Sequence, residues 1–303
     1  MYEQIARNRR LSLLLIAVVA ALMVVMGYVI GVATGISWFG LVIAGALALV
    51  MSLTGYYKGD RIVLAASRAR RVTHDEEPQL YNVVEEMSIA SGNPMPAVYV
   101  IDDTATNAFA TGRNPEHASI AVTSGLIQKL NREELQGVVA HEMSHVRNYD
   151  ILYATLVGIM VGTIVLMADF FLRWGFWGGG GRRSKGGGQA AIVFLVIGIV
   201  MAIVAPIAAR MVQLAISRRR ESLADASAVE LTRNPNGLAD ALEKISRDQE
   251  VLEVANRATA HLYIANPVKN FEKRASRMFS THPPIEMRIQ VLRAMASGAP
   301  MPS

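Results

Sequence analysis

The chain has 303 residues, 52% of them hydrophobic, a formal net charge of +5 and no cysteine. Without cysteine there is no disulfide frame, no thiolate metal site and no cysteine nucleophile. The basic excess clusters beside apolar windows instead of on one polar face, which reads as juxtamembrane anchoring and argues against a nucleic-acid partner.

Four windows carry almost no charge: 11–32, 38–56, 151–172 and 190–209. Each is near the ~20 residues that a helix needs to cross the hydrocarbon core. Arg7, Arg9 and Arg10 precede the first window, as in a signal peptide. Its apolar run exceeds the ~7–15 residues of a signal core, and a second window follows at once, so it reads as a retained anchor. The windows divide the chain into a membrane hairpin (1–57), a polar part (58–150), a second hairpin (151–216) and a C-terminal polar part (217–303).

In this layout the N-terminus, the exits of windows two and four and the approach to window three share one side. That side carries Arg7, Arg9, Arg10, Lys58, Arg61, Arg68, Arg70, Arg71, Arg147, Arg218, Arg219 and Arg220; the other has Arg173, Arg182, Arg183 and Lys185. The inward bias of lysine and arginine places both polar parts in the cytoplasm. Trp38, Trp174 and Trp177 all fall at the outer interface, where amphipathic rings settle.

EEPQLYNVVEEMSIA (76–90) has the pattern of an amphipathic helix, and PAVYVID (96–102) and HASIAVT (117–123) of strands in a small sheet. Asn131 and Glu134 make a capping box that opens a helix running to about Asn148. The segment WGFWGGGGRRSKGGGQ lacks the order of a phosphate-binding loop and reads as a flexible outer connection. RRRESLADASAVEL (218–231) is helical up to a break at Asn234-Pro235-Asn236-Gly237, and THPPIEMRIQVLRAM uses its prolines to start a last helix. The fold class is mainly α, a membrane protein with a small β-sheet.

His141-Glu142-Met143-Ser144-His145 spells HExxH. On a helix, positions i and i+4 lie on one face, so both imidazoles can reach one metal ion. Glu142 sits roughly 60° round from His145 (at 3.6 residues per turn), poorly placed as a ligand but able to take a proton from a metal-activated water. A catalytic zinc needs a third protein ligand and an open position. Glu221, in ESLAD, is the candidate. His145 lies about 9 Å of helix before the third window, and Glu221 stands a similar distance past a fourth span continued to residue 216, at 1.5 Å per residue. An antiparallel hairpin brings both to one depth. The alternative for Glu221 is a solvated pairing with Arg218 or Arg220. Asp225, one turn on, is suited to orient a ligand histidine, or else is a surface carboxylate.

HEMSHVRNYD, RRRESLADASA, NAFATG and THPPIEMR together resemble the HtpX family of membrane zinc metalloproteases, and the hydropathy layout is similar over nearly the whole chain. The resemblance implies a cytoplasmic zinc (Zn2+) protease domain with an HExxH…E ligand set, in a multi-pass protein of the bacterial cytoplasmic membrane. It implies His141, His145 and Glu221 as ligands and Glu142 as catalytic base, acting on damaged or misfolded membrane proteins under stress. In similar enzymes an edge strand pairs with an extended substrate while an asparagine holds its backbone. Here Asn107, ahead of the strand at 118–123, is the candidate, or a plain turn residue. Related enzymes also supply a donor to the oxyanion, for which His282 and Arg288 are the candidates. Their alternative is a helix cap for His282 and a pairing of Arg288 with Glu286 or Asp225. Asp150 completes HExxHxxxxD as in that family, and the sequence suggests nothing for it beyond a local cap. The competing functions are a structural zinc site in a sensor or scaffold, which would need four ligands, and a prenyl-protein endopeptidase.

Overall fold

The computed structural model describes residues 37–160, 218–248 and 284–299, parts of 6–28, and the short pieces 250, 252 and 262–264. The window at 190–209, most of that at 151–172, the glycine-rich loop and His282 lie outside the described residues.

Residues 8 and 10–18 are helical (α1). The second helix, α2, runs Ser37–Ala66. At 1.5 Å per residue it is about 45 Å long, more than the ~30 Å hydrocarbon core requires. Its stretch Leu41–Ala66 is long and apolar enough to cross a membrane. Its first half exposes Trp38, Phe39, Val42, Ile43 and Leu47. The sequence placed the end of this span at residue 56; the helix continues past the charged Lys58, Asp60 and Arg61 without a break. Packing explains the continuation. A Cβ on Gly59 would lie 2.8 Å from Ile159 Cδ1 and 3.0 Å from Thr155 Cγ2, so the bare glycine lets α2 lie closely against the apolar helix that begins at Asp150.

Four strands form a mixed sheet in the order β1-β2-β4-β3: β1 (Arg70–Arg71), β2 (Ala97–Ile101), β3 (Ala108–Gly112) and β4 (Ala118–Thr123). β4 is parallel to β2 and antiparallel to β3. The expected strand at 118–123 is therefore interior. The edge is β3, within NAFATG, whose five residues are all buried and show no alternation to mark a strand.

Alternate residues supply two cores. Val98, Val100, Ala110, Ile120 and Val122 face α3 (Pro78–Ser91) and the helix carrying HExxH. Ile101, Phe109 and Ala121 face Val63 and Leu64 of α2, together with Tyr263. After the short α4 (Ser124–Lys129), α5 (Arg132–Arg147) opens with the expected capping box. Asn131 Oδ1 accepts from the Glu134 N–H at 2.9 Å, and Glu134 Oε2 accepts from the Asn131 N–H at 2.7 Å. α6 follows over Asp150–Met160. α7 (Arg218–Thr232), α8 (Pro235–Arg247) and α9 (Ile285–Ser297) complete the described helices. The Asn234–Gly237 break is itself a start signal, since Asn234 Oδ1 accepts the Gly237 N–H at 3.2 Å and caps α8.

Candidate metal centre

α5 is buried on most of its surface, between the sheet, α3, α7 and α8. Burial of a helix that carries two histidines and a glutamate is costly unless those groups find partners. They do. The His141 and His145 rings stand edge to face with centroids 4.9 Å apart, and their Nε2 atoms are 3.3 Å apart. Glu221, from α7, places Oε2 at 3.7 Å from His141 Nε2 and Oε1 at 3.7 Å from His145 Nε2. One donor atom from each of the three residues lies within 4.8 Å of the other two.

The donor set fits zinc. Ligand distances of about 2.0–2.1 Å in a tetrahedron imply donor separations of roughly 3.4 Å. Here the two Nε2 atoms are 3.3 Å apart and each lies 3.7 Å from a different oxygen of Glu221, with one donor from each residue within 4.8 Å of the other two, so the three side chains converge on one ion-sized space.

Each imidazole is held from behind by a carboxylate. His141 Nδ1 donates to Asp225 Oδ1 at 2.9 Å, and His145 Nδ1 to Asp150 Oδ2 at 3.1 Å. A proton fixed on Nδ1 leaves the Nε2 lone pair turned towards the other ligands. Arg288, from α9, grips Asp225 with both arms, Nε to Oδ2 at 2.8 Å and Nη2 to Oδ1 at 2.6 Å. Its Nη1 lies 3.7 Å from Glu221 Oε2.

Burial drives the His141 pKa down, with the Arg288 cation adding to this against Asp225. For His145 burial acts the same way, but Asp150, Glu221 and Glu142 outweigh it and raise the pKa to about 9. Glu142 is only 3% exposed. Burial pushes its carboxyl up to about 7, Glu221 adding to this while His145 and a hydrogen bond from the Ala110 backbone oppose it. Burial also works against the Asp225 carboxylate, yet Arg288 and His141 hold its pKa down to about 2. A carboxyl able to exchange a proton near neutral pH thus sits beside three convergent donors.

The structure brings together His141, Glu142, His145, Glu221, Asp225 and Arg288. Arg288 joins through Asp225, the pairing weighed at the outset against an oxyanion role. Asn107 stands where β3 begins. Its backbone bonds to Thr123 on both sides, and its Oδ1 accepts from the Ala108 N–H at 3.1 Å. The Asn107–Thr123 pairing sets the ladder so that residues 108, 110 and 112 present backbone groups to the outer edge. There, the Ala108 carbonyl accepts from the Ile264 N–H at 3.0 Å. Sequence reasoning noted Asp150 in HExxHxxxxD but missed its place behind the His145 ring, and it missed the edge strand itself.

The model of the family "Peptidase family M48" matches residues 74–296. A protein described as "Protease HtpX homolog" from Streptococcus uberis is 44% identical over 298 residues, covering 97% of this chain and all of that one. One of the same description from Thermoanaerobacter pseudethanolicus is 42% identical over 296 residues, covering 97% and 98%. Among solved structures, that of S. mikatae Ste24p aligns with 96% of this chain and 67% of its own at 17% identity and a TM-score of 0.48.

Proposed function

The chain belongs to peptidase family M48 and to the HtpX proteases within it, and we propose that it is a zinc-dependent endopeptidase held in a bacterial cytoplasmic membrane by four spans. The observation that carries the reading is the geometry of the centre. Three donors from two helices converge within 4.8 Å of one another, and a buried glutamate with a pKa of about 7 adjoins them.

His141, His145 and Glu221 would hold the ion, leaving a position open for chemistry. Zinc, when bound, acidifies a water and polarises the scissile carbonyl. Glu142 accepts the proton released as water attacks the peptide carbon and passes it to the departing amine. Asp225 and Asp150 keep the two rings aimed throughout, and Arg288 keeps Asp225 in place. Arg288 thus supports the ligands from behind. An extended substrate adds to the outer edge of β3 by donating to the carbonyls of residues 110 and 112, whose own N–H groups serve Glu142 and Thr155, with Asn107 holding the end of that edge. The layout of the apolar windows supports an active site about 10 Å from the bilayer on the cytoplasmic side, from six residues at 1.5 Å each, within reach of misfolded membrane proteins.

The test uses the full chain, purified in detergent with a chelator present to suppress self-cleavage. Casein or a membrane-protein substrate is cleaved after zinc is restored and spared before. A preparation that binds one zinc and cleaves nothing would leave a non-catalytic zinc protein.

A further inference from the structure

Behind His145 the Asp150 carboxylate continues into a buried polar chain whose further members, Asn8 and Arg220, the mechanism above does not use. Asp150 gives Oδ2 to His145 and Oδ1 to the side-chain amide of Asn8, at 3.1 and 2.6 Å. The same amide donates to the carbonyl of Asn148 at 3.1 Å. Asn8 Oδ1 accepts from Arg220 Nη1 at 3.4 Å, and that nitrogen is 3.6 Å from Asp150 Oδ1. Asn8 is 3% exposed, Arg220 6% and Asp150 8%, so water does not satisfy these groups.

Local geometry explains why Asp150 depends on outside support. It follows a sharp turn between α5 and α6, where Tyr149 holds φ at +59°, a conformation costly for a residue with a bulky side chain. The Asn8 amide binds both the carbonyl that enters this turn and the carboxylate that leaves it. Asn8 reaches this place because α1 packs along α6, Leu11, Leu15 and Ile16 lying against Leu152, Tyr153 and Leu156. Arg220 is the residue before Glu221, and its guanidinium rests 5.7 Å over the Tyr153 ring.

We propose that Asn8 is a positioning residue of the metal centre: through Asp150 it fixes the ring of His145, so that the N-terminal membrane helix is part of the site. The proposal rests on the assignment of His145 as a ligand. Asn8 is neutral and offers a donor and an acceptor, the pair needed between the Asp150 anion and the Arg220 cation. An exchange of the two side chains is therefore tolerable. With Asn8→Asp and Asp150→Asn together, the residue at 150 still offers an oxygen to His145 and an amide to position 8. The carboxylate at 8 then meets Arg220, although it no longer serves the Asn148 carbonyl.

The experiment measures zinc affinity of the full chain by chelator competition in a Glu142→Gln background, with thermal melting of the metal-free form beside it. Asn8→Asp and Asp150→Asn alone should each weaken zinc binding on the order of 10–100-fold, as loss of a ligand-orienting partner does. The exchanged double variant should recover part of that affinity, the bond to the Asn148 carbonyl remaining lost. Asn8→Ala should weaken zinc binding by a factor similar to those of the single exchanges, while the metal-free form still melts as one cooperative transition. Wild-type affinity in Asn8→Ala, or a double variant no tighter than the summed losses of the singles, overturns the proposal. If His145→Ala binds zinc as tightly as the parent, the ligand assignment itself has failed.

Discussion

Asp225 Oδ1 stands 2.9 Å from His141 Nδ1, and Arg288 Nη2 binds the same oxygen at 2.6 Å while lying 3.4 Å from that imidazole nitrogen. An aspartate so placed turns a buried histidine into a one-directional ligand. Asp225→Ala should cost about 10–100-fold in zinc affinity. Arg288→Ala should also lose zinc, because it leaves Asp225 as a buried anion free to turn. Zinc content after dialysis against a chelator checks both. Full zinc retention in Arg288→Ala with turnover reduced on the order of 10²–10³-fold would restore the oxyanion role instead.

Loading the site should release protons. With its pKa at about 9, His145 is protonated at pH 7 in the metal-free protein and must lose that proton to offer Nε2. His141, whose pKa is lowered, is already neutral and contributes none. Titration calorimetry of zinc in two buffers of different ionisation enthalpy should give a release of about one proton or more at pH 7. Zinc affinity should then fall as the pH is lowered. Uptake with no proton release contradicts the arrangement around His145.

A third prediction concerns acid stability. Asp248 Oδ2 accepts from the Thr106 N–H at 2.9 Å and from Lys129 Nζ at 3.0 Å, clamping the loop that leads into β3. Burial opposes its ionisation, but Thr106, Glu250 and Lys129 hold the pKa to about 2, below the ordinary 3.8. A depressed folded-state value stabilises the fold above about pH 4, and this contribution disappears as the pH falls towards 2. Asp248→Asn should lower the melting temperature at pH 6 and make little difference near pH 2. An equal loss at both would contradict the clamp.

Gly137 tests how tightly the α5 backbone is seated. A Cβ there would lie 2.7 Å from Leu238 N and 2.8 Å from Leu238 Cα, backbone atoms that have little room to give. Helix propensity favours alanine over glycine by about 1 kcal/mol. Overpacking costs typically 1–3 kcal/mol or more, so Gly137→Ala should destabilise. The metal-free melting temperature should fall; a rise would show that α8 yields.

The parts of the centre carried by local spacing were legible in the sequence. HExxH puts two rings on one helix face wherever that helix lies, and the Asn131–Glu134 box marked where it begins. Glu221 was reachable because the hairpin argument concerned depth, which apolar run lengths set. Asn8 was not legible: its partner Asp150 is 142 positions away, and no periodicity links them. β3 escaped because both its faces are buried, and β1 because it is two arginines. The helix α2 runs beyond the expected span at 38–56, because charge marks where a bilayer ends, whereas a helix stops where its packing and capping stop.

The central claim is that Glu142 is the proton acceptor of a metal-dependent hydrolysis and not a ligand. Glu142→Gln keeps the side chain's size and removes its ability to accept a proton at neutral pH. Zinc content and substrate cleavage, measured on one preparation of this variant, test the claim directly. The account predicts wild-type zinc content with cleavage abolished; normal cleavage, or loss of zinc together with cleavage, would contradict it.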